Sequence, residues 1–476
     1  MSMMSVLFLG LTTVVFIILS LSNKIVKDEN KSINIANLVL LSSSYLFVIY
    51  ADWRFAVVLV ILTLSTWYCA KSEKTYKVGI IIAVLALAFF KYTNFFAQSF
   101  TKIIGADYTA LNIILPLGIS FYTFSAISYI IDVSRGKTMQ RDLLHVALYL
   151  AFFPKITSGP IQRSGDFFDQ IERKRDVGWD TFSVGVQIFA FGLFKKIVFA
   201  DRLSVFVNQV YETPMAFGSL TVFLAAIAYS MQIYFDFSGY SDMAIGVAKI
   251  LGINFPRNFN LPYLSHNVTE LWKRWHITLS TWLQDYLYIS LGGNRRGKAR
   301  TYTNLILTML IGGIWHGANW TYIFWGLFHG LALAVHKFWM SVTGSRSKKH
   351  STIADLLSIG MTFLFTTFCW IFFRAESINQ AFQIIKRIFS FESGLEQPYL
   401  WLMISVVVLA ITSTIAFIKT KNSIISVKNM NTSIVDGYYP IVNLTSFWGL
   451  VTFFVFCGMM LCLAYTGGSP FIYGNY

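Results

Sequence analysis

Charge is what this sequence has least of. Asp, Glu, Lys and Arg make up 13% of its 476 residues, while 55% are hydrophobic and the mean hydropathy is +0.58. Too few charges remain to coat a soluble domain of this length, so the composition excludes one and indicates a polytopic membrane protein. Acidic residues are the scarcer sign, 23 against 38 basic ones, leaving a formal charge of +15. In a membrane chain that excess reflects basic loops retained in the cytoplasm, so no nucleic-acid partner is expected. Cysteine is nearly missing too. Cys69, Cys369, Cys457 and Cys462 sit in apolar stretches without zinc-type or redox-type spacing, which makes them packing residues and leaves no metal site. Also lacking are a Gly-x-Ser-x-Gly elbow, a Walker A loop, a dinucleotide fingerprint, an internal repeat and a low-complexity tract.

What is present is a series of uncharged runs. Crossing the hydrocarbon of a bilayer takes roughly 17 to 25 residues, and candidates lie at 5–22, 32–51, 53–70, 77–96, 110–131, 214–235, 302–316, 319–336, 356–373, 398–418 and 443–465. The first is longer than a signal-peptide core and lacks a cleavage site, so it reads as a retained helix. Lys24, Lys27 and Lys31, then "KSEKTYK" and "RGKTMQR", mark alternate connections as cytoplasmic, and "GSRSKKH" and "KTKN" continue the series. Both termini are then expected outside. Between 143 and 200 the alternation fails. There "FFPKITSGPIQR" is flanked by "IERKR" and "FGLFKK", as expected of a Pro/Gly-broken segment that enters and leaves on one face.

The interval from Phe235 to Arg300 holds ten ionisable residues, from Asp236 to Asp285, and then a run of basic ones, all among aromatics. It is too polar for plain spanning helices and too aromatic for an ordinary loop, which makes 235–336 the candidate functional core. At helical spacing in "TELWKRWHITLSTWLQDYLY", Trp272, Trp275, Leu279 and Trp282 share one face, so 269–288 reads as an amphipathic helix. It would line a cavity or lie in an interfacial aromatic belt. His276, beside Trp275 and two cations, is expected to be neutral and able to accept a proton. His316 lies in "GGIWHGANW", inside an uncharged stretch from Thr301 to His336. A titratable ring is costly there unless it faces protein or water, and its glycines suit a broken helix or close backbone approach. Structural glue is the bland alternative for His316, and it suits His329 in its regular apolar helix better. Without the paired spacing of a zinc helix, an unaccompanied histidine in an aromatic cavity best suits a general base that activates a hydroxyl.

The sequence resembles the membrane-bound O-acyltransferase family, in the branch similar to bacterial alginate O-acetyltransferase. The likeness covers most of the chain and is strongest in 235–297, "FDFSGYSDMA…LGGNRRG", and 304–330, "NLILTMLIGGIWHGANWTYIFWGLFHG". It also takes in "FFPKITSGPIQR" and the ending "FIYGNY". The resemblance implies one all-α membrane domain over 1–476, with a ring of roughly eleven transmembrane helices plus re-entrant and amphipathic helices around a central tunnel. It implies that His316 is the catalytic base and that His276 polarises or positions the reacting groups. Trp272, Trp275, Trp315 and Asn319 would line the tunnel or support an oxyanion. The branch takes an acyl group from a cytoplasmic thioester, here acetyl-CoA with no bound cofactor, and delivers it across the bacterial inner membrane. An outer SGNH-hydrolase-like partner then esterifies a polysaccharide.

Within the tail 467–476, "FIYGNY" resembles a Phe-x-Tyr-x-x-aromatic ending whose tyrosine relays the acyl group, which would be Tyr473. Tyr476 stands where phenylalanine is commoner, "GGSP" suggests a flexible tether, and an interfacial aromatic anchor explains the same residues. Lys273, Arg274, Arg295, Arg296, Lys298 and Arg300 would meet the phosphates of coenzyme A, although a positive-inside role explains the last four equally well. Two alternatives stay open: a teichoic-acid D-alanyl transferase fed by a carrier-protein thioester, and a polysaccharide transporter or flippase.

Overall fold

Short polar residues start the first helices, as apolar runs in a membrane require. Ser5 accepts the Phe8 N–H, Asp28 that of Lys31 and Asp52 that of Arg54, each capping an otherwise orphaned helix start. The computed structural model describes residues 3–344, 352–409, 411 and 441–472. Among these the regular structure is helical apart from an isolated bridge between Phe217 and Leu395. Among the described residues, six helices are long and apolar enough to cross a membrane: Val6–Ile25, Glu29–Ala51, Tyr76–Ile104, Trp179–Glu212, Ser219–Ile250 and Thr352–Arg374. Trp53–Cys69, Ile119–Ser134, Leu400–Leu409 and Phe447–Leu463 are shorter apolar helices. The chain expected to be one domain falls into two compact units, Met1–Ala190 with Tyr240–Pro256, and Phe191–Gly239 with the residues from Arg257 onward.

The first unit carries α1 (Val6–Ile25), α2 (Glu29–Ala51), α3 (Trp53–Cys69), α4 (Tyr76–Ile104), α5 (Ile119–Ser134), α6 (Leu143–Ala151), α7 (Phe153–Ile156) and α8 (Ser164–Ile171), then most of α9 (Trp179–Phe194). The span expected at 110–131 begins only at Ile119. Pro116 has no N–H to give, and Gly118 stands in the left-handed region at φ 74°. "FFPKITSGPIQR" is broken as its composition suggests: Phe152 ends α6, Pro154 opens the single turn of α7, and 157–163 are irregular. Its backbone is sealed in protein. Phe153 N–H donates to Ser44 Oγ at 3.1 Å, and Tyr149 Oη to the Gln162 carbonyl at 2.8 Å. Phe152, Phe153 and Ile156 are buried, which is the setting in which irregular backbone survives at membrane depth.

The second unit contains the π-helical turn Lys195–Ala200, α10 (Asp201–Glu212), the first part of α11 (Ser219–Ile250), α12 (Val268–Arg274), α13 (Ile277–Trp282), α14 (Lys298–His316), α15 (Trp320–Thr343), α16 (Thr352–Arg374), α17 (Ile378–Phe389), α18 (Leu400–Leu409) and α19 (Phe447–Leu463). Two expectations change here. The helix expected at 214–235 runs to Ile250 straight through Asp236 and Asp242, because Asp236 is buried against a lysine rather than facing lipid. The stretch after the broken segment is a continuous 34-residue helix, Trp179–Glu212, whose Lys195 and Lys196 are buried within it instead of marking a cytoplasmic end. Glycines bring α14 close against α15. A Cβ on Gly313 would collide with the Tyr322 carbonyl and one on Gly326 with the Met309 carbonyl, so only glycine permits this approach.

Candidate active site

His276 owes its place to a break in what the sequence suggests is one helix. After α12, Trp275 turns extended, and His276 adopts φ 41°, ψ 55° before α13 begins. Of the four aromatic and apolar residues expected on one face, Trp272 falls on α12, Trp275 in the break, and Leu279 and Trp282 on α13. Tertiary bonds make the break. Ile277 N–H donates to the Asn258 carbonyl at 2.9 Å, Asn260 N–H to the Arg274 carbonyl at 2.9 Å, and Thr278 Oγ1 to Asn258 Oδ1 at 2.6 Å. A left-handed non-glycine residue costs roughly 1–3 kcal/mol, and such strain persists where surroundings over-determine it, often at active sites. The His276 ring is 1% exposed and meets the Phe237 ring edge-on at 4.6 Å. Neither ring nitrogen has a hydrogen-bond partner among the described residues.

His316 is the last residue of α14, and Gly317 leaves it in extended conformation. Its ring, 2% exposed, is boxed by Trp315 at 5.0 Å, Trp325 at 5.0 Å and Phe373 at 5.3 Å. Trp325 stacks on Trp370 at 5.8 Å, and Trp370 meets Trp275 at 4.9 Å. The residue beside His276 and the ring against His316 thus belong to one aromatic wall. His329 joins it, 5.0 Å from Trp325, with its Nδ1 accepting the Trp272 Nε1–H at 3.3 Å. Both rings are buried among aromatic neighbours, and a charge developing in such a place is felt strongly by any nearby dipole.

The other expected residues divide. Trp275 lies in the wall, packed also on Phe259 and Tyr263. Trp315 stands against His316. Trp272 donates its indole N–H to His329, so that donor holds a histidine in place. Asn319 caps α15 through Oδ1 to the Thr321 N–H and gives its Nδ2 to the Glu376 carbonyl at 2.8 Å, so its amide holds the turn after His316. Arg274 pairs with Glu270 at 2.7 Å. Burial pushes the Glu270 carboxyl up, but the His266 and Arg274 hydrogen bonds outweigh it and hold the group below its usual range. Lys273, Arg295, Arg296, Lys298 and Arg300 are exposed. Tyr473 lies outside the described residues. Among the described residues no three His, Cys, Asp or Glu side chains gather as metal ligands would. Sequence reasoning missed Phe237, Trp325, Trp370 and Phe373, which carry no signal beyond being aromatic in apolar runs.

Comparison with known proteins gives this geometry its class. Residues 139–375 match the membrane-bound O-acyltransferase family. The probable alginate O-acetylase AlgI of Pseudomonas syringae pv. tomato is 40% identical over 375 residues, 75% of this chain and 70% of that protein. The peptidoglycan O-acetyltransferase of Helicobacter pylori is 39% identical over 335 residues, 65% of this chain and 63% of that protein. The teichoic acid D-alanyltransferase of Bacillus subtilis is 28% identical over 391 residues, 78% of this chain and 97% of that protein. The chain belongs to the membrane-bound O-acyltransferase family. It is a multi-pass, all-α membrane enzyme that transfers acyl groups to oxygen, which decides against the transporter reading.

Proposed function

We propose that the protein takes acetyl from cytoplasmic acetyl-CoA and passes it across the bacterial inner membrane for O-acetylation of an extracytoplasmic polysaccharide. The observation that carries this is two buried histidines, His316 on the aromatic wall and His276 next to its Trp275, with both ring nitrogens of His276 unclaimed by other described side chains. In the reaction, His316 takes the proton of an acceptor hydroxyl as its oxygen attacks the thioester carbonyl. His276 donates a hydrogen bond to the developing oxyanion. The carbon–sulfur bond then breaks, and the imidazolium returns its proton to the leaving thiolate, which departs as free coenzyme A. Trp315 and Trp275 wall the site, while Lys273, Arg274, Arg295 and Arg296 meet the phosphates of the donor.

On this reading Tyr473 is the first acceptor and relays its acetyl ester to an SGNH-hydrolase-like partner outside, with both termini on that face. The acetyl donor is favoured over a carrier-bound D-alanyl thioester because the alginate and peptidoglycan acetylating relatives are about 40% identical, against 28% for the Bacillus subtilis D-alanyltransferase. The test is alkali-labile transfer of labelled acetyl from acetyl-CoA onto the protein in membranes carrying wild type, His316→Ala or Tyr473→Phe. Label that is present in wild type and absent from both variants supports donor, base and relay. Label lost only in His316→Ala sends the acetyl elsewhere than Tyr473. No label unless a D-alanyl-loaded carrier replaces acetyl-CoA overturns the donor.

A further inference from the structure

A buried charged cluster that the proposed reaction does not use centres on Lys196. Lys196, on the π-turn, is 1% exposed, and its Nζ stands 2.7 Å from Asp201 Oδ1 and 2.7 Å from Asp236 Oδ1. Gly239 permits this meeting of α11 with the π-turn, since a Cβ there would come within 2.6 Å of the Gly192 carbonyl. Two carboxyl groups share one ammonium in a buried place, and such a cluster is costly unless further hydrogen bonds complete it. The donors come from the end of the chain. Ser469 Oγ–H donates to Asp201 Oδ1 at 2.5 Å and Ile472 N–H to Asp236 Oδ2 at 2.8 Å, while the Ser469 carbonyl accepts from Lys196 Nζ at 3.0 Å.

The same elements hold the approach to that point. Arg202 Nε donates to the Leu463 carbonyl at 2.9 Å, closing the end of α19, and Tyr465 N–H donates to the Ile197 carbonyl at 2.9 Å. That carbonyl belongs to the π-turn, a distortion that recurs at functional sites. Segment 463–472 is therefore tied down at four points by residues 196–202 and 236, and "GGSP" is no free tether. Phe471 packs 6.2 Å from Phe237, the ring that abuts His276.

We infer that Lys196, Asp201 and Asp236 form a buried ionic lock that docks the C-terminal segment and positions it for acyl transfer. The docking half stands on the hydrogen bonds alone. The positioning half rests on the relay reading above, because Tyr473 directly follows the locked Ile472. The three residues are positioning residues: they act through the tail rather than on the acetyl group.

The experiment compares purified full-length wild type, Ser469→Ala, and the charge-free triple variant Lys196→Met, Asp201→Asn, Asp236→Leu. Hydrogen–deuterium exchange is followed in the peptide covering 464–476, together with labelling of Tyr473 from acetyl-CoA and release of coenzyme A without an acceptor. The lock expects slow exchange in wild type, accelerated about tenfold in Ser469→Ala and more in the triple variant, as lost hydrogen bonds to charged groups imply. Tyr473 labelling should fall in parallel while acceptor-independent release in Ser469→Ala holds, a split that general destabilisation would not produce. Fast exchange in wild type, or equal exchange in Ser469→Ala, overturns the lock. Accelerated exchange with undiminished labelling overturns positioning and leaves docking. If Tyr473→Phe keeps full label, the relay fails and positioning fails with it, whereas the exchange result still decides docking.

Discussion

The two histidine sites are built in opposite ways. His316 sits at the end of α14, where close-packed glycines, a following Gly317 and an Asn319 cap all act within a few residues of it. His276 sits in a stretch without glycine or proline, and its helix is broken by hydrogen bonds from Asn258 and Asn260 more than a dozen positions away. One site is specified locally and tolerates little change in its own glycines. The other is specified by its surroundings, so it is sensitive to residues that never touch the reacting groups. Placing one imidazole by backbone proximity and the other by imposed strain leaves both rings buried, His316 against the aromatic wall and His276 beside its Trp275.

The difference is sharpest when each site is broken in its own way. His316→Ala should lower acyl transfer per folded molecule by about 10²–10⁴-fold, the usual contribution of a positioned general base, beyond the modest loss of stability that emptying a buried ring site brings. A fall below tenfold in a transfer assay would remove it from the base role. Gly313→Leu should act on the fold instead. Overpacking against Tyr322 and Gly326 costs typically 1–3 kcal/mol or more, seen as a lower unfolding temperature in detergent. Next comes His276→Gly, which deletes the ring and relieves the left-handed strain, so the cavity it leaves is offset in part. It should fold with a modestly lower unfolding temperature and transfer acyl groups at least about tenfold more slowly. Activity near wild type would assign His276 to structure alone.

Asn258→Ala removes the Oδ1 that accepts from the Thr278 hydroxyl and N–H and should cost about 1–3 kcal/mol, read by thermal unfolding, with reduced turnover as the break at His276 loosens. Smallest is Trp272→Phe. It keeps the ring but removes the donor to His329, so turnover should fall by a factor of about ten or less. An effect as large as that of His316→Ala would mean that Trp272 touches the reacting atoms.

Much of this was legible in the residues. Uncharged runs place α1, α2, α3 and α16 within a few positions, because lipid-facing periodicity and polar caps are local signals. Pro154 and Gly159 announce the break in 152–163. Charge misled where it is buried. Lys196 and Asp236 read as helix ends because a single sequence does not display the partner that neutralises each, and the helices continue through both. The break before α13 carries no local signal at all, since Asn258 imposes it from outside the segment. His276 and His316 stood out as ionisable residues in apolar surroundings, whereas Trp325 and Trp370, which connect their neighbourhoods, look like any other aromatic in a membrane helix.

The most direct measurement is a cryo-EM structure of the full chain with a non-transferable acetyl-CoA analogue in which the thioester sulfur is replaced by a methylene. The analogue's carbonyl should lie within hydrogen-bond reach of His276, with His316 facing the carbon from the acceptor side and the phosphates among Lys273, Arg274, Arg295 and Arg296. An analogue bound with its carbonyl remote from both histidines would contradict the assignment of this aromatic wall as the place of acyl transfer.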